Sequence, residues 1–500
     1  MEHKIVFPAS RYSADDLVIR ADGDTAESRA VISIYLALVL TVMLSLVLTL
    51  IQGARVSAIR MEMECVTDMG MNSAFAEFHR ELLNQYDVFF IDTSYGTGSP
   101  DLLNTALHMK DYMSYNYQVN KGFVGNKAKD WLGIEVSNVD VQEVSFATDM
   151  QGAVLKKQAI QYMEDKTGLD QVDKILSHFN IMRDNQLDTR DITSENNDVE
   201  HKLQNLEREE DGKKKKIHID SPANGVNDSK SIGILGLLLK DTGSVSTQAV
   251  QLEEYVQRRE LQEGVGIPPG KELKENSIEE ILFGKYLAEK CGSYTQKKEG
   301  SLLQYEIEYL LTGKNCDRDN LSSVTNKLVL IRQVANSIHL WSDAGKVGEA
   351  DAAAMAIASA VLMPEIQPIV KLSLMLAWAY AESIGDVRIL LDGGKIPLMK
   401  THSDWRLQFD QIADFRDKDY GEEDSGKGLS YTEYLELLLL PMDRDLKVNR
   451  LMDVIEMDIR MTDGNKAFRM DGCIDYMVAE VLCKSKFGYE YSIRRPYYYE

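Results

Sequence analysis

The densest set of groups able to do chemistry is Asp414 to Asp424, DFRDKDYGEED, with six acids in eleven residues. Carboxylates at that density are hard oxygen donors and suit Ca2+. A calcium loop opening at Asp417 would put Gly421 at its fifth position and Gly428 where the bidentate acid belongs, so the spacing describes a solvated acidic loop. Gly264 to Lys271 comes nearest to a phosphate-cradling loop. It is one residue too long, holds Pro268 and Pro269, and has Glu272 where the metal-binding Ser or Thr belongs, which makes it a prolyl turn. Gly96 and Gly98 lack a third glycine and run into Pro100, so no dinucleotide fingerprint is present.

The eight histidines (3, 79, 108, 178, 201, 218, 339, 402) show no H-E-x-x-H and no pair spaced for one helical face. No G-x-S-x-G elbow occurs, and no cysteine has a nearby histidine to activate it. Five cysteines (65, 291, 316, 473, 483) are an odd number without C-x-x-C, and each reads as a small buried hydrophobe. The run Lys213 to Lys216 follows Glu207 to Asp211, which neutralises its field locally. From these residues we expect no cofactor, no metal and no catalytic set. An enzyme assembled from distant carboxylates, acting on wall polymer, is the rival reading.

The elements that must carry these groups follow from composition and periodicity. The chain has 500 residues, with 44% apolar and 27% charged side chains, so it can build at least one large core. Its 56 basic and 79 acidic residues give a formal charge of −23, which repels nucleic acid. Ten prolines and many Met and Leu predict a mainly helical chain with a small β element, an α+β protein.

Ala30 to Ala54, AVISIYLALVLTVMLSLVLTLIQGA, carries no charge over 25 residues. As a helix it would reach roughly 37 Å, enough for a bilayer core of about 30 Å. It exceeds the apolar region of a cleaved secretory signal and follows a 29-residue polar leader. Arg11, Arg20 and Arg29 precede it within twenty residues and only Arg55 and Arg60 follow, which leans toward a cytoplasmic N-terminus and an extracytoplasmic bulk in the cell membrane. A cytoplasmic, membrane-tethered binding module is the opposite topology. A second apolar stretch, Ala352 to Ala381, is broken by Pro364, Glu365, Pro368 and Lys371 and reads as two core helices.

No proline occurs from Arg55 to Asp92, and Ile59, Met63, Val66, Phe75, Phe78 and Leu82 recur at helical steps with a gap around Gly70. The membrane helix is expected to continue outward as a stem over 55–92; unbroken to Tyr86 it would be about 85 Å long. Such a stripe suits a partner, self-association, or docking on the chain's own ectodomain. Val88 to Asp92 reads as a buried strand or a helix-to-loop exit; within a small α/β region at 93–182, Gly133 to Thr148 carries the clearest strand signal and Met150 to His178 fits a helix. Residues 183–275 are expected as a polar, partly flexible linker, the charge-blocked Arg183 to Lys230 most of all. Residues 276–500 are expected as a helical domain, with helices over 278–291, 301–312, 321–340, 352–363, 369–381, 431–440, 448–460 and 473–484.

The anchor and stem resemble the N-terminal region of TadE/TadG-like proteins, pilin-like components of bacterial tight-adherence (Flp) pili, through the exit Ala54-Arg55-Val56-Ser57-Ala58-Ile59-Arg60 and Thr67-Asp68-Met69. Over most of its length the chain is also similar to an uncharacterised family of clostridial membrane proteins encoded near such pilus genes, through Leu302 to Lys314, Leu376 to Lys400 and Leu429 to Leu440. The pilin pattern departs at Arg29 and at Ile34-Tyr35, where a small residue and a Glu would stand. The resemblance implies a non-enzymatic, single-pass envelope protein that assists assembly or anchoring of a tight-adherence-like pilus, with the bilayer and pilus components as partners. The anchor would be Ala30 to Ala54 and the packing face Ile59 to Leu82.

Overall fold

A computed structural model describes residues 14–118, 130, 132–210, 213–217, 219, 221–229, 232–266, 277–418 and 426–499. In chain order the helices are α1 (Ala14–Phe75), α2 (Arg80–Tyr86), α3 (Leu102–Tyr117), α4 (Asp149–Lys166), α5 (Leu169–Asp184), α6 (Ile192–Gln204), α7 (Pro222–Ser229) and α8 (Ile234–Leu238). They continue as α9 (Ser277–Lys290), α10 (Glu306–Thr312), α11 (Asp317–Ser342), α12 (Ala344–Ala360), α13 (Gln367–Leu391), α14 (Tyr431–Leu439) and α15 (Arg444–Arg460). The strands are β1 (Ile91–Asp92), β2 (Ile134–Phe146), β3 (Glu207–Glu210), β4 (Lys213–Lys216), β5 (Cys473–Ser485) and β6 (Glu490–Tyr498). The protein is mainly α with a small antiparallel sheet, ordered β1-β5-β2 with β6 also on β5.

The chain forms two compact units. The first comprises residues 1–74, 106–140 and 479–495, the second 75–105, 141–478 and 496–500. Within the first, Ile59, Met63 and Val66 on α1 are buried in an i, i+4, i+7 pattern, and Met71 is buried farther along the same helix. The gap in that pattern at Gly70 has a direct cause. A Cβ there would lie 2.6 Å from Met113 Cε and Cγ, so the missing side chain makes room for α3.

The stem is not one helix to Tyr86. α1 stops at Phe75 because the groups that would continue it are taken. The Tyr499 hydroxyl donates to the Phe75 carbonyl at 2.6 Å. The His79 amide, which would otherwise bond that carbonyl, donates instead to Phe90 O at 2.8 Å. His79 Nδ1 then accepts the Leu82 amide and caps α2. Phe78 therefore lies in a turn, and Leu82 on a separate helix.

In the second unit, α13 is buried almost throughout from Ser373 onward and packs against α11, α12, α6, α7 and α8. Residues 352–381 do form two helices, split where Leu362 takes φ of 59° before Pro364. The stretch expected as a linker is folded over its described residues. α6 buries Ile192 and Val199, α7 buries Ala223 and Val226, and α8 buries Leu235, Leu237 and Leu238 in the main core. Its few apolar residues sit on one face of short helices, where sparse burial suffices because large neighbours supply the rest of the core.

Residues 473–484 form strand β5 rather than a helix. The segment joins a continuously buried run, Cys473 to Ala479 with Asp475 inside it, to alternation over Val481 to Ser485, and Ile, Val, Tyr and Cys favour a strand once flanking strands are present. Ile91 pairs with Ile474 and Asp92 with Cys473.

Candidate functional site

α1 is long and apolar enough to cross a membrane, and its most apolar window is uncovered by the rest of the chain. Ala30 and Ala54, which bound the apolar run, are exposed, as are its large side chains from Val31 to Ile51. Ser33, Thr41 and Thr49 return their hydroxyls to carbonyls four residues back, at 2.7 to 2.8 Å, so the sleeve presents few unmet polar groups. Coverage begins at Arg55 and Val56, and Ile59 and Met63 are fully enclosed.

The predicted packing residues divide between the two units. Ile59, Met63 and Val66 lie together on the face of α1 buried in the first unit. Phe75 belongs to the second, its ring 4.6 Å from Tyr497 and 5.0 Å from Tyr499. Phe78 meets Phe89 edge-on at 5.4 Å, and Leu82 is enclosed in the main core. The continuous stripe is thus three residues of the first unit followed by three of the second, of which Leu82 lies in the main core.

Periodicity could not reveal the polar ladder that joins α1 to β6 in the first unit. Arg60 lies 4.9 Å from the Tyr491 ring, the Tyr491 hydroxyl donates to Glu64 Oε1 at 3.0 Å, and Arg495 Nε reaches Asp68 at 3.3 Å. Glu64 is held below its ordinary value first by the Arg60 hydrogen bond and then by Tyr491. The only sequence signal was a cationic and aromatic tail, RRPYYYE, opposite the stem's acids.

In the second unit, a cleft of about 1000 Å³ lies between α8, the end of α13 and residues 416–418, with an adjoining recess of about 310 Å³ beside Tyr294, Thr295 and Lys297. Arg388 spans its floor, donating to Leu237 O, Arg416 O and Lys418 O at 2.6 to 3.4 Å. That guanidinium is spent on three carbonyl oxygens and holds the walls together. The carboxyls with raised proton affinity lie elsewhere. Burial pushes Glu308 up to about 7 and Asp453 up to about 6, and it pushes Glu306, beside Asp458, well above its ordinary range. Each sits in the core against α10 or α15 and none lines the cleft.

The densest charge network in the core is structural. Lys400 pairs with Glu382 and, at 2.6 Å, with Asp386, while Arg332 Nε contacts the other Asp386 oxygen at 3.1 Å. Burial alone would raise Asp386, yet Lys400 and Arg332 hold it below its ordinary value. Arg332 also donates to Pro397 O and Leu398 O, and Glu382 accepts the Arg406 and Leu407 amides, so these charges fasten residues 397–407 onto α11 and α13.

The loop at Gly264 holds a carboxylate of the chain itself. Asp149 accepts the amides of Phe146, Gly264 and Gly266 at 3.0 to 3.2 Å; residues 267–276 lie outside the described ones. Of the acidic stretch 414–424, only 414–418 is described, and among the described residues no group of three His, Cys, Asp or Glu is placed to hold a metal ion. The run Lys213 to Lys216 is paired in register with Glu207 to Glu210. All five cysteines are free thiols, and burial pushes Cys291 and Cys473 well above the usual thiol range.

A model of a family of unknown function, DUF5702, matches residues 212–485, more than half of the chain. No curated protein and no solved structure matches. The family description names no pilus and no bacterial group.

Proposed function

The chain belongs to the DUF5702 family of unknown function, and from that premise we propose that it is a non-enzymatic, single-pass cell-envelope protein that assists assembly or anchoring of a tight-adherence-like pilus apparatus. One observation carries the envelope part of this reading. A single unbroken helix runs from a bare apolar sleeve at Val31 to Ile51 into the enclosed face at Ile59, Met63 and Val66. An uncovered apolar surface of that length is costly in water and favourable in hydrocarbon. Because the helix does not break between the two, the sleeve is rigidly joined to a folded unit, as an anchor that transmits position requires. The resemblance of residues 30–69 to TadE/TadG-like proteins supports the pilus part, and the three arginines before the span support a cytoplasmic N-terminus.

The test is fractionation with alkaline extraction, followed by protease shaving of a C-terminal tag in intact and lysed cells. Retention in the membrane with cleavage in intact cells is the expected result, and pull-downs with pilus components then test the partner. Release by alkaline extraction would defeat the anchor. Protection of the tag until lysis would reverse the topology and favour a tethered cytoplasmic module.

A further inference from the structure

We infer that the tip of the β5–β6 hairpin, Ser485 to Tyr489, is a second membrane contact that seats Phe487 in the headgroup layer and presents Arg55 and Lys486 to lipid phosphates. The inference rests on the reading of α1 as a membrane span and adds a second, peripheral foot to it.

The argument is one of height along α1 within the first unit. The apolar run ends at Ala54, and Arg55 is the first charge after it. A charge at that point marks the edge of the hydrocarbon, since burying it in lipid is expensive. The Arg55 guanidinium lies over the Phe487 ring, 4.2 Å from its centroid. The hairpin tip therefore sits level with the membrane boundary. From there β6 climbs away from the span, meeting Arg60 and Glu64 through Tyr491, and Asp68 through Arg495. Thirteen helical residues separate Arg55 from Asp68, about 20 Å of rise. The turn is thus the end of the hairpin nearest the bilayer.

The turn is built to hold that shape. Gly488 takes φ of 76°, its amide donates to Ser485 O at 2.9 Å, and the Ser485 amide donates to Tyr489 O at 2.9 Å. The Lys486 amide donates to Gly133 O at 2.7 Å and its ammonium to Asp130 O at 2.5 Å, which ties the tip to a neighbouring loop. Phe487 nevertheless remains 42% exposed, a large apolar ring met on one face by the Arg55 guanidinium. An aromatic ring flanked by a guanidinium and an ammonium has the composition of a side-chain cluster at a membrane–water interface, where the ring meets the acyl boundary and the cations meet phosphate. Lys484 is offset by Glu490 at 2.7 Å, which leaves Arg55 and Lys486 as the cations beside the Phe487 ring among the described residues.

The full chain, reconstituted in vesicles of phosphatidylethanolamine and phosphatidylglycerol, carries photoreactive benzoylphenylalanine in place of Leu44, Phe487 or Arg495, one position at a time. Lipid adducts are expected at 44 and 487 and not at 495. Adducts at 44 without any at 487 would overturn the inference and leave the anchor standing. An absence of adducts at 44 would overturn the anchor itself, and equal yields at 487 and 495 would mean that the whole strand rather than its tip meets lipid. K486Q is expected to lower the adduct yield at 487 about fivefold, the weight of one cation at an anionic surface. An unchanged yield would remove Lys486 from the contact.

Discussion

The hydroxyl of Tyr499 donates to the carbonyl of Phe75, the last residue of the 62-residue helix α1, at 2.6 Å. This bond meets one of the carbonyls that every helix end leaves open, and it does so from a side chain more than 400 residues away in sequence. Tyr499 is half-buried, and burial raises its pKa far above the ordinary tyrosine value, so the phenol keeps the proton that it donates. Y499F, which keeps the ring and removes the donor, is expected to lower stability by about 1 to 2 kcal/mol, because the Phe75 carbonyl loses its partner. Urea unfolding of the detergent-solubilised chain would measure it; a midpoint unchanged from wild type would show that water replaces the phenol without cost.

Gly70 is expected to resist enlargement. A Cβ at this position meets Met113, and a larger side chain would have to displace α3. G70L should destabilise by about 1 to 3 kcal/mol through overpacking. G70A combined with M113A should be less destabilised than the sum of the two single changes, since removing the Met113 side chain opens the space that the new methyl needs. Strict additivity in that cycle would break the proposed contact.

The Lys400 ammonium pairs with two carboxylates in the core; Asp386 also pairs with Arg332, and among the described residues Lys400 is the cation paired with Glu382. K400M should cost about 3 to 5 kcal/mol, because it leaves a buried carboxylate uncompensated. K400M paired with E382Q should recover part of that loss. Thermal unfolding of both variants tests it, and a double variant no better than K400M would mean that the two residues do not act as a pair.

Burial lifts Glu308 to about 7, against an ordinary value of 4.5, with the Tyr294 amide and Tyr431 hydroxyl only partly offsetting it. The folded chain therefore holds this proton more tightly than the unfolded chain does. Stability from this group is complete below about pH 4.5 and is lost as pH rises through about 7, by about 3 kcal/mol in all. E308Q keeps a neutral side chain at every pH. It should flatten the fall in unfolding midpoint between pH 5 and 8, and an identical pH profile in the two proteins would exclude Glu308 as its source.

The anchor could be read from the residues alone because its signal is local. Twenty-five uncharged and mostly apolar residues mark a helix able to span a bilayer through composition, without reference to any other part of the chain. The helices α9, α11, α14 and α15 were legible for a similar reason, since a repeat of 3.6 residues records which face is buried. Strand β5 was not, because its first half, Cys473 to Ala479, is buried on both faces and loses the periodicity that separates strand from helix. The stretch 183–275 read as a linker because its polar residues outnumber its apolar ones; α6, α7 and α8 are held in place by large partners that lie far away in sequence, such as α13. Likewise the stripe from Ile59 to Leu82 is visible as a repeat, but its division at Phe75 is set by Tyr499 and Phe90, which take the hydrogen bonds that another turn of helix would need. Local composition thus determined which helix is long and apolar enough to cross a membrane and which faces are apolar. Which faces meet one another, and the ladder from Arg55 and Phe487 to Asp68 and Arg495, depended on groups brought together only when the chain closed on itself.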